Sequence, residues 1–390
     1  MDSSRAVLEY IENYWSDCTF APKDRRVATP RNALLRTLDI HLPNRSVSPN
    51  HRYFARTQYY WDSYFIIRGL LRSGRIELAI EIVENFAFLF QKLHIMPARN
   101  THFSRGRTQP PFFAQMVREV YECTKDQAWL NTHMEIALQE YRSVWQARPR
   151  YVEEVGLNRY HPKYFPSILG VYESGWDVSS RFALRAKQII PVDLNCLLYR
   201  YEDVFEWWSA HTNDTDAVKQ WQVAKKQRAQ SMREYLWNEH AGFYFDHELH
   251  IDKPSKLHTL AGFFPMYVGL ASKEEAARMV QHLLRFEHSG GLATSEKKAL
   301  SIRQWDYPNG WPNIILLVVL GLKKYGYDAD ALMIATNFLQ LQNELFEQSG
   351  VLWEKYDVVN RKPGRAGRYP TQSGFGWTNA AYLELYDLVL

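Results

Sequence analysis

Apolar residues recur at helical spacing along most of the chain. The clearest run is residues 76–93, where Ile76, Ala79, Ile80, Val83, Phe86, Ala87, Phe90 and Leu93 share one stripe of a 3.6-residue period. Arg5–Trp15 repeats this with Val7, Leu8, Ile11 and Tyr14. Further helices are predicted at Trp61–Leu71, 112–124, 127–146, 188–212, 215–237, 259–270, 273–286, Pro312–Tyr325, Ala329–Glu347 and Trp377–Leu390. Pro312–Tyr325 is apolar nearly all round, which argues for an inner position, whereas Ala329–Glu347 is apolar on one face only. Strand signal is sparse, Gly242–Asp246 being a short extended stretch or turn. The pattern therefore predicts an all-α fold in which enclosed and half-exposed helices alternate.

The intervening stretches are long. Residues 18–57 hold Pro22, Pro30, Pro43 and Pro49 and are rich in Arg, and 96–111, 147–175, Gly290–Gln304 and 349–376 also lack periodicity. No Pro/Gly/Ser-rich linker or charge run divides the chain, so residues 1–390 are expected to form a single domain.

Composition narrows the function. The formal charge of +4 is spread evenly, which gives no nucleic-acid stripe. The longest apolar run, Ile314–Leu322, is too short for a membrane span, and no apolar leader follows Met1, so a cytoplasmic protein is expected. Cys18, Cys123 and Cys196 are widely spaced, which suits free thiols rather than a metal site. No cofactor or metal is expected, and a monomer is. Aromatics reach 15% of the chain, and such rings build cores but also line carbohydrate clefts.

The densest chemistry lies at Glu173-Ser174-Gly175-Trp176-Asp177-Val178-Ser179-Ser180. Gly175 permits a sharp turn or a close ligand, and Trp176 offers a flat apolar face. Asp177 is the acid between them and the next helix, and Ser179 and Ser180 can donate to a neighbouring carboxylate or cap that helix. Three further stretches match it in density: Tyr60-Trp61-Asp62-Ser63, Gln304-Trp305-Asp306-Tyr307-Pro308-Asn309-Gly310-Trp311, and Trp353-Glu354-Lys355-Tyr356-Asp357 with Gly374-Phe375-Gly376-Trp377. All lie in loops or at helix starts, where a helical barrel would gather them at one end.

Together these stretches, in this order, resemble the signatures of the trehalase family, glycoside hydrolase family 37. Lesser matches are Gln109-Pro110-Pro111, Pro191-Val192-Asp193-Leu194-Asn195 and Gly290-Gly291-Leu292-Ala293-Thr294. The resemblance implies an (α/α)6 barrel that hydrolyses α,α-trehalose to two glucoses with inversion, Asp177 being the acid and Glu354 the base. It also implies sugar contacts from Arg52, Trp61, Asp62, Asn100, Arg107, Gln109, Gly175, Trp176, Gln304, Trp305, Asp306 and Trp311. The residues agree with these roles: Trp176 can desolvate Asp177, and Lys355 can favour an ionised Glu354. Asp62 can also cap the helix that begins there.

The chain departs from the family pattern at three places. Asn50–Gln58 lacks the usual Gly-Gly-Arg-Phe and its Glu, a segment before the acid motif is missing, and Arg368 replaces a Glu before Tyr369-Pro370. By the resemblance all three belong to the aglycone side or to the lid over it, so another small α-glucoside or a glycosyl-glycerate is an alternative substrate. A sugar-binding barrel without catalysis is the alternative from another class, although it has no need for both carboxylates.

Overall fold

The computed structural model describes residues 3–22, 39–164, 167–183, 185–297 and 303–390. Residues 23–38 of the Arg-rich stretch and 298–302 of Gly290–Gln304 lie outside these residues. Six helices form an inner ring: α2 (Tyr60–Arg72), α4 (Phe113–Thr124), α6 (Val192–His211), α8 (Phe264–Val268), α10 (Pro312–Lys324) and α12 (Gly376–Val389). Each packs on the next in that order, and α12 packs back on α2, which closes the ring. At this closure Gly69 is needed for close approach: a Cβ there would stand 3.1 Å from the Ala380 Cβ and 2.7 Å from the Trp15 ring.

The outer layer comprises α1 (Ser3–Asp17), α3 (Ile76–Leu93), α5 (Gln127–Glu140), α7 (Thr215–Leu236), α9 (Lys273–Val280) and α11 (Asp328–Ser349). Burial follows the pattern of the sequence. The inner α6 buries residues on every face, whereas α7 buries only Arg228, Met232 and Leu236 along one stripe. The all-α (α/α)6 toroid is thus the observed architecture.

Connections from inner to outer helices are tight turns, such as Ser73-Gly74-Arg75 and Lys125-Asp126. Connections from outer to inner helices are the long ones, and every motif singled out above lies in one of them or at the inner-helix start that follows. The motifs therefore meet at the N-terminal end of the inner ring. Two-residue strands knit these loops: Asn309–Gly310 pairs with Tyr356–Asp357, which pairs with Lys362–Pro363.

Four predicted helices change at their ends. The helix expected from residue 188 starts at Val192, because Ile189–Ile190 pairs with His247–Glu248 and Pro191 then opens the helix. The helix expected at 259–270 divides into a 3-10 turn, Leu260–Phe263, and the short α8, which Gly269 ends at φ +80°. The one expected at 273–286 stops at Val280 before a 3-10 turn, and the end of 127–146 widens into a π turn at Tyr141–Trp145.

Candidate active site

A cavity of about 1700 Å³ opens where the long loops converge. Trp61, Asp62, Arg107, Gln109, Gly175, Asp177 and Trp305 line it, as do Arg52 and Asn100 nearer the rim. Behind the wall lies an aromatic stack. Trp305 lies flat on Trp311, ring centres 3.7 Å apart, and faces Trp61 and Trp176 at 5.6 and 5.3 Å. Gly175, at φ +75°, sits on Trp61, where a Cβ would come within 2.7 Å of the ring. A side chain there would displace the wall.

The loop bearing Asp177 is gripped along its length. Upstream, the buried Glu173 carboxylate accepts from Arg150 at 2.6 Å, from the Thr108 N–H at 3.0 Å and from the His161 N–H at 2.6 Å. This fixes the Arg107–Gln109 strip to the acid loop. Gln304 donates to the Asp177 carbonyl at 3.2 Å. Downstream, the Ser179 hydroxyl and the Ser180 N–H both donate to Asp306, at 2.9 and 3.0 Å. Arg181, stacked over Trp176, is clamped between Asp193 and Asp246, each at 2.6 Å. Within this frame the β-branched Val178 is held at φ 63°, a conformation such residues rarely adopt.

The Asp177 carboxyl itself is scarcely bonded: the Arg368 guanidinium lies 3.5 Å from Oδ2. Burial pushes Asp177 up to about 7, against the attraction of Arg107 and Arg368 and helped by the charge of Glu354. Such a group still carries its proton in a substantial fraction of molecules near neutrality.

Glu354 is held in the opposite way. It is fully buried, and its carboxylate accepts from the buried Lys355 ammonium at 2.7 Å and from the Tyr369 hydroxyl at 2.7 Å. Its backbone carbonyl accepts from the Trp377 indole at 3.0 Å, and its N–H donates to Gln372 at 3.0 Å. Lys355 and Tyr369 both stabilise the carboxylate.

Not every predicted contact residue points into the cavity. Asp62 does, and it is not the helix cap: Tyr59 occupies that position without a side-chain bond. Burial first, then Glu354 and Asp177, push the Asp62 carboxyl well above the usual range. Asp306, Trp176, Gln304 and Trp311 lie behind the wall, with Asp306 serving as the anchor of Ser179 and Ser180; the expected base Glu354 is not a lining residue either and meets the cavity through Tyr369, which is. Asn100 reaches the wall, but its amide is spent on the Gln58 N–H and the Ile40 carbonyl. Arg52 is exposed at the rim.

Sequence reasoning missed Tyr59, Arg99, Tyr172 and Tyr369 on the wall. Tyr369 was legible only as the residue after Arg368, and the other three carry no local signature.

The family profile described as Trehalase matches residues 2–168 and 163–389. A periplasmic trehalase of Escherichia coli is 33% identical, over 99% of this chain and 74% of that protein. The chain belongs to the trehalase family. It is accordingly a glycoside hydrolase.

Solved structures agree on the fold. The neutral trehalase of Saccharomyces cerevisiae superposes with a TM-score of 0.86 at 23% identity, covering 99% of this chain and 94% of that one. A mannosylglycerate hydrolase of Thermus thermophilus, solved with glucose, superposes with a TM-score of 0.69 at 21% identity, covering 87% and 95%. Among the described residues, no helix is long and apolar enough to cross a membrane. The cytoplasmic expectation has no counterpart in the Escherichia coli relative, whose name places it in the periplasm.

Proposed function

We propose that the chain hydrolyses α,α-trehalose to two glucoses by inversion, with Asp177 as general acid and Glu354 as general base. The observation that carries this is the contrast between the two carboxyls: one desolvated and pushed up to about 7, the other gripped by Lys355 and Tyr369.

Trehalose joins two anomeric carbons through one oxygen. One glucose lies on the floor, its apolar face against Trp305 and Trp61 and its hydroxyls toward Asp62, Arg107 and Gln109. Asp177 gives its proton to the bridging oxygen as the bond to the anomeric carbon breaks. Glu354 takes a proton from a water that attacks that carbon from the opposite face. Asp177 ends ionised and Glu354 protonated, and exchange with solvent resets both. In this reading Trp176, Gln304, Asp306 and Trp311 hold the wall and the acid loop from behind.

Proton NMR in the first minutes of trehalose hydrolysis tests the reading. Inversion gives one β-glucose and one α-glucose per turnover, so the two anomeric signals rise together before mutarotation. Two α-glucoses would make Glu354 a nucleophile, and no glucose at all would remove the activity.

A further inference from the structure

The wall of the cavity carries more cationic charge than a neutral disaccharide requires. Among the described residues that line it are five arginines (Arg52, Arg56, Arg99, Arg107 and Arg368) and four aspartates (Asp17, Asp39, Asp62 and Asp177). Two of those aspartates, Asp62 and Asp177, have carboxyls pushed upward by burial, which weakens the anionic side of that count. The Nε groups of Arg99 and Arg107 are buried without a hydrogen-bond partner among the described residues. Buried donors of this kind are costly unless a ligand completes them.

The surplus is concentrated beside the acid. Arg368 and Arg107 lie 4.3 and 6.0 Å from the ring of Tyr172, and Arg368 reaches Asp177 Oδ2 at 3.5 Å. Arg368 does not hang from a free loop tip. Its neighbour Gly367 is pressed so close to Gln304 that a Cβ would lie 2.7 Å from the Gln304 Cβ, and its other neighbour, Tyr369, is bonded to Glu354. The guanidinium is therefore placed, while half its side chain stays open to solvent at 52% exposure. Asp177 donates to the leaving oxygen, so whatever extends beyond that oxygen meets Arg368.

We infer that the aglycone side of this site takes an anion, and that α-glucosides whose leaving unit bears a carboxylate or a phosphate are better substrates than their neutral counterparts. The inference rests on the proposed roles of Asp177 and Glu354. It also gives the anion a part in the chemistry. An anion paired with Arg368 withdraws the guanidinium's pull on Asp177, which then keeps its proton for the leaving oxygen.

The test compares kcat/KM for two matched pairs: glucosylglycerate with glucosylglycerol, and trehalose 6-phosphate with trehalose. The expected result is a preference of about tenfold or more for the anion in at least one pair, the worth of one charged hydrogen bond. Which pair shows it tells carboxylate from phosphate. Arg368→Gln should bring that ratio to about 1, and added salt should shrink it in the wild type. Trehalose turnover with no anion preference in either pair, or a preference that survives Arg368→Gln, overturns the inference alone. Failure to cleave all four compounds removes the proposed hydrolysis and this inference together.

Discussion

The two carboxyls are held by opposite means. On the Asp177 side the protein grips the backbone, through Glu173, Gln304, Asp306 and Arg181, and leaves the carboxyl almost unbonded. On the Glu354 side it grips the carboxylate itself, through Lys355 and Tyr369. The difference teaches how one cavity can assign different work to two similar groups. A carboxyl that is desolvated but free to present its proton suits an acid; one that is hydrogen-bonded and fixed suits a base.

This comparison can be broken at the base first. Glu354→Gln should lower kcat on trehalose by on the order of 10³, because no other group described at the site is held to activate water. Steady-state kinetics at saturating trehalose measures this, and a loss below tenfold would remove Glu354 from the chemistry.

Next comes the acid. Asp177→Asn should cost on the order of 10² in kcat on trehalose. In the wild type the sign of the pH dependence follows from the raised value. The protonated form is active, so kcat/KM should fall as pH rises through about 7. That alkaline limb should be absent in Asp177→Asn, and a limb that persists unchanged would belong to another group.

The scaffold behind the acid is read on stability rather than on rate. Asp193→Asn leaves Arg181, only 1% exposed, with Asp246 as its remaining carboxylate. The expected loss is about 3 kcal/mol of stability, read as a lower urea midpoint with an unchanged slope. A midpoint within error of the wild type would show that the acid loop does not depend on the clamp. The smallest effect is on the grip of the base: Tyr369→Phe removes one hydrogen bond to Glu354, worth about 1 kcal/mol, and should lower kcat by about fivefold. A loss as large as that of Glu354→Gln would give the hydroxyl a direct part in the reaction.

Most of the ring was legible because a 3.6-residue period is plain in helices such as Ile76–Leu93, while Pro312–Lys324 announces its inner place by being apolar nearly all round. The motifs were legible as clusters of Trp and carboxylate in aperiodic stretches. Which side chains face the cavity was not. Asp62 and Asp306 sit in similar Trp-Asp pairs, yet Asp62 lines the cavity while Asp306 turns to Ser179 and Ser180, 127 and 126 residues away. The Arg181–Asp193–Asp246 clamp joins residues 12 and 65 apart, and no local pattern records such a pairing. Two-residue strands such as Asn309–Gly310 are too short to show a period of two.

The division of labour itself is tested most directly by α-glucosyl fluoride, whose fluoride leaves with little help from an acid. The account predicts that Asp177→Asn hydrolyses the fluoride at close to the wild-type rate while failing on trehalose, and that Glu354→Gln fails on both. Equal losses on the two substrates in Asp177→Asn, or fluoride hydrolysis retained in Glu354→Gln, would contradict it.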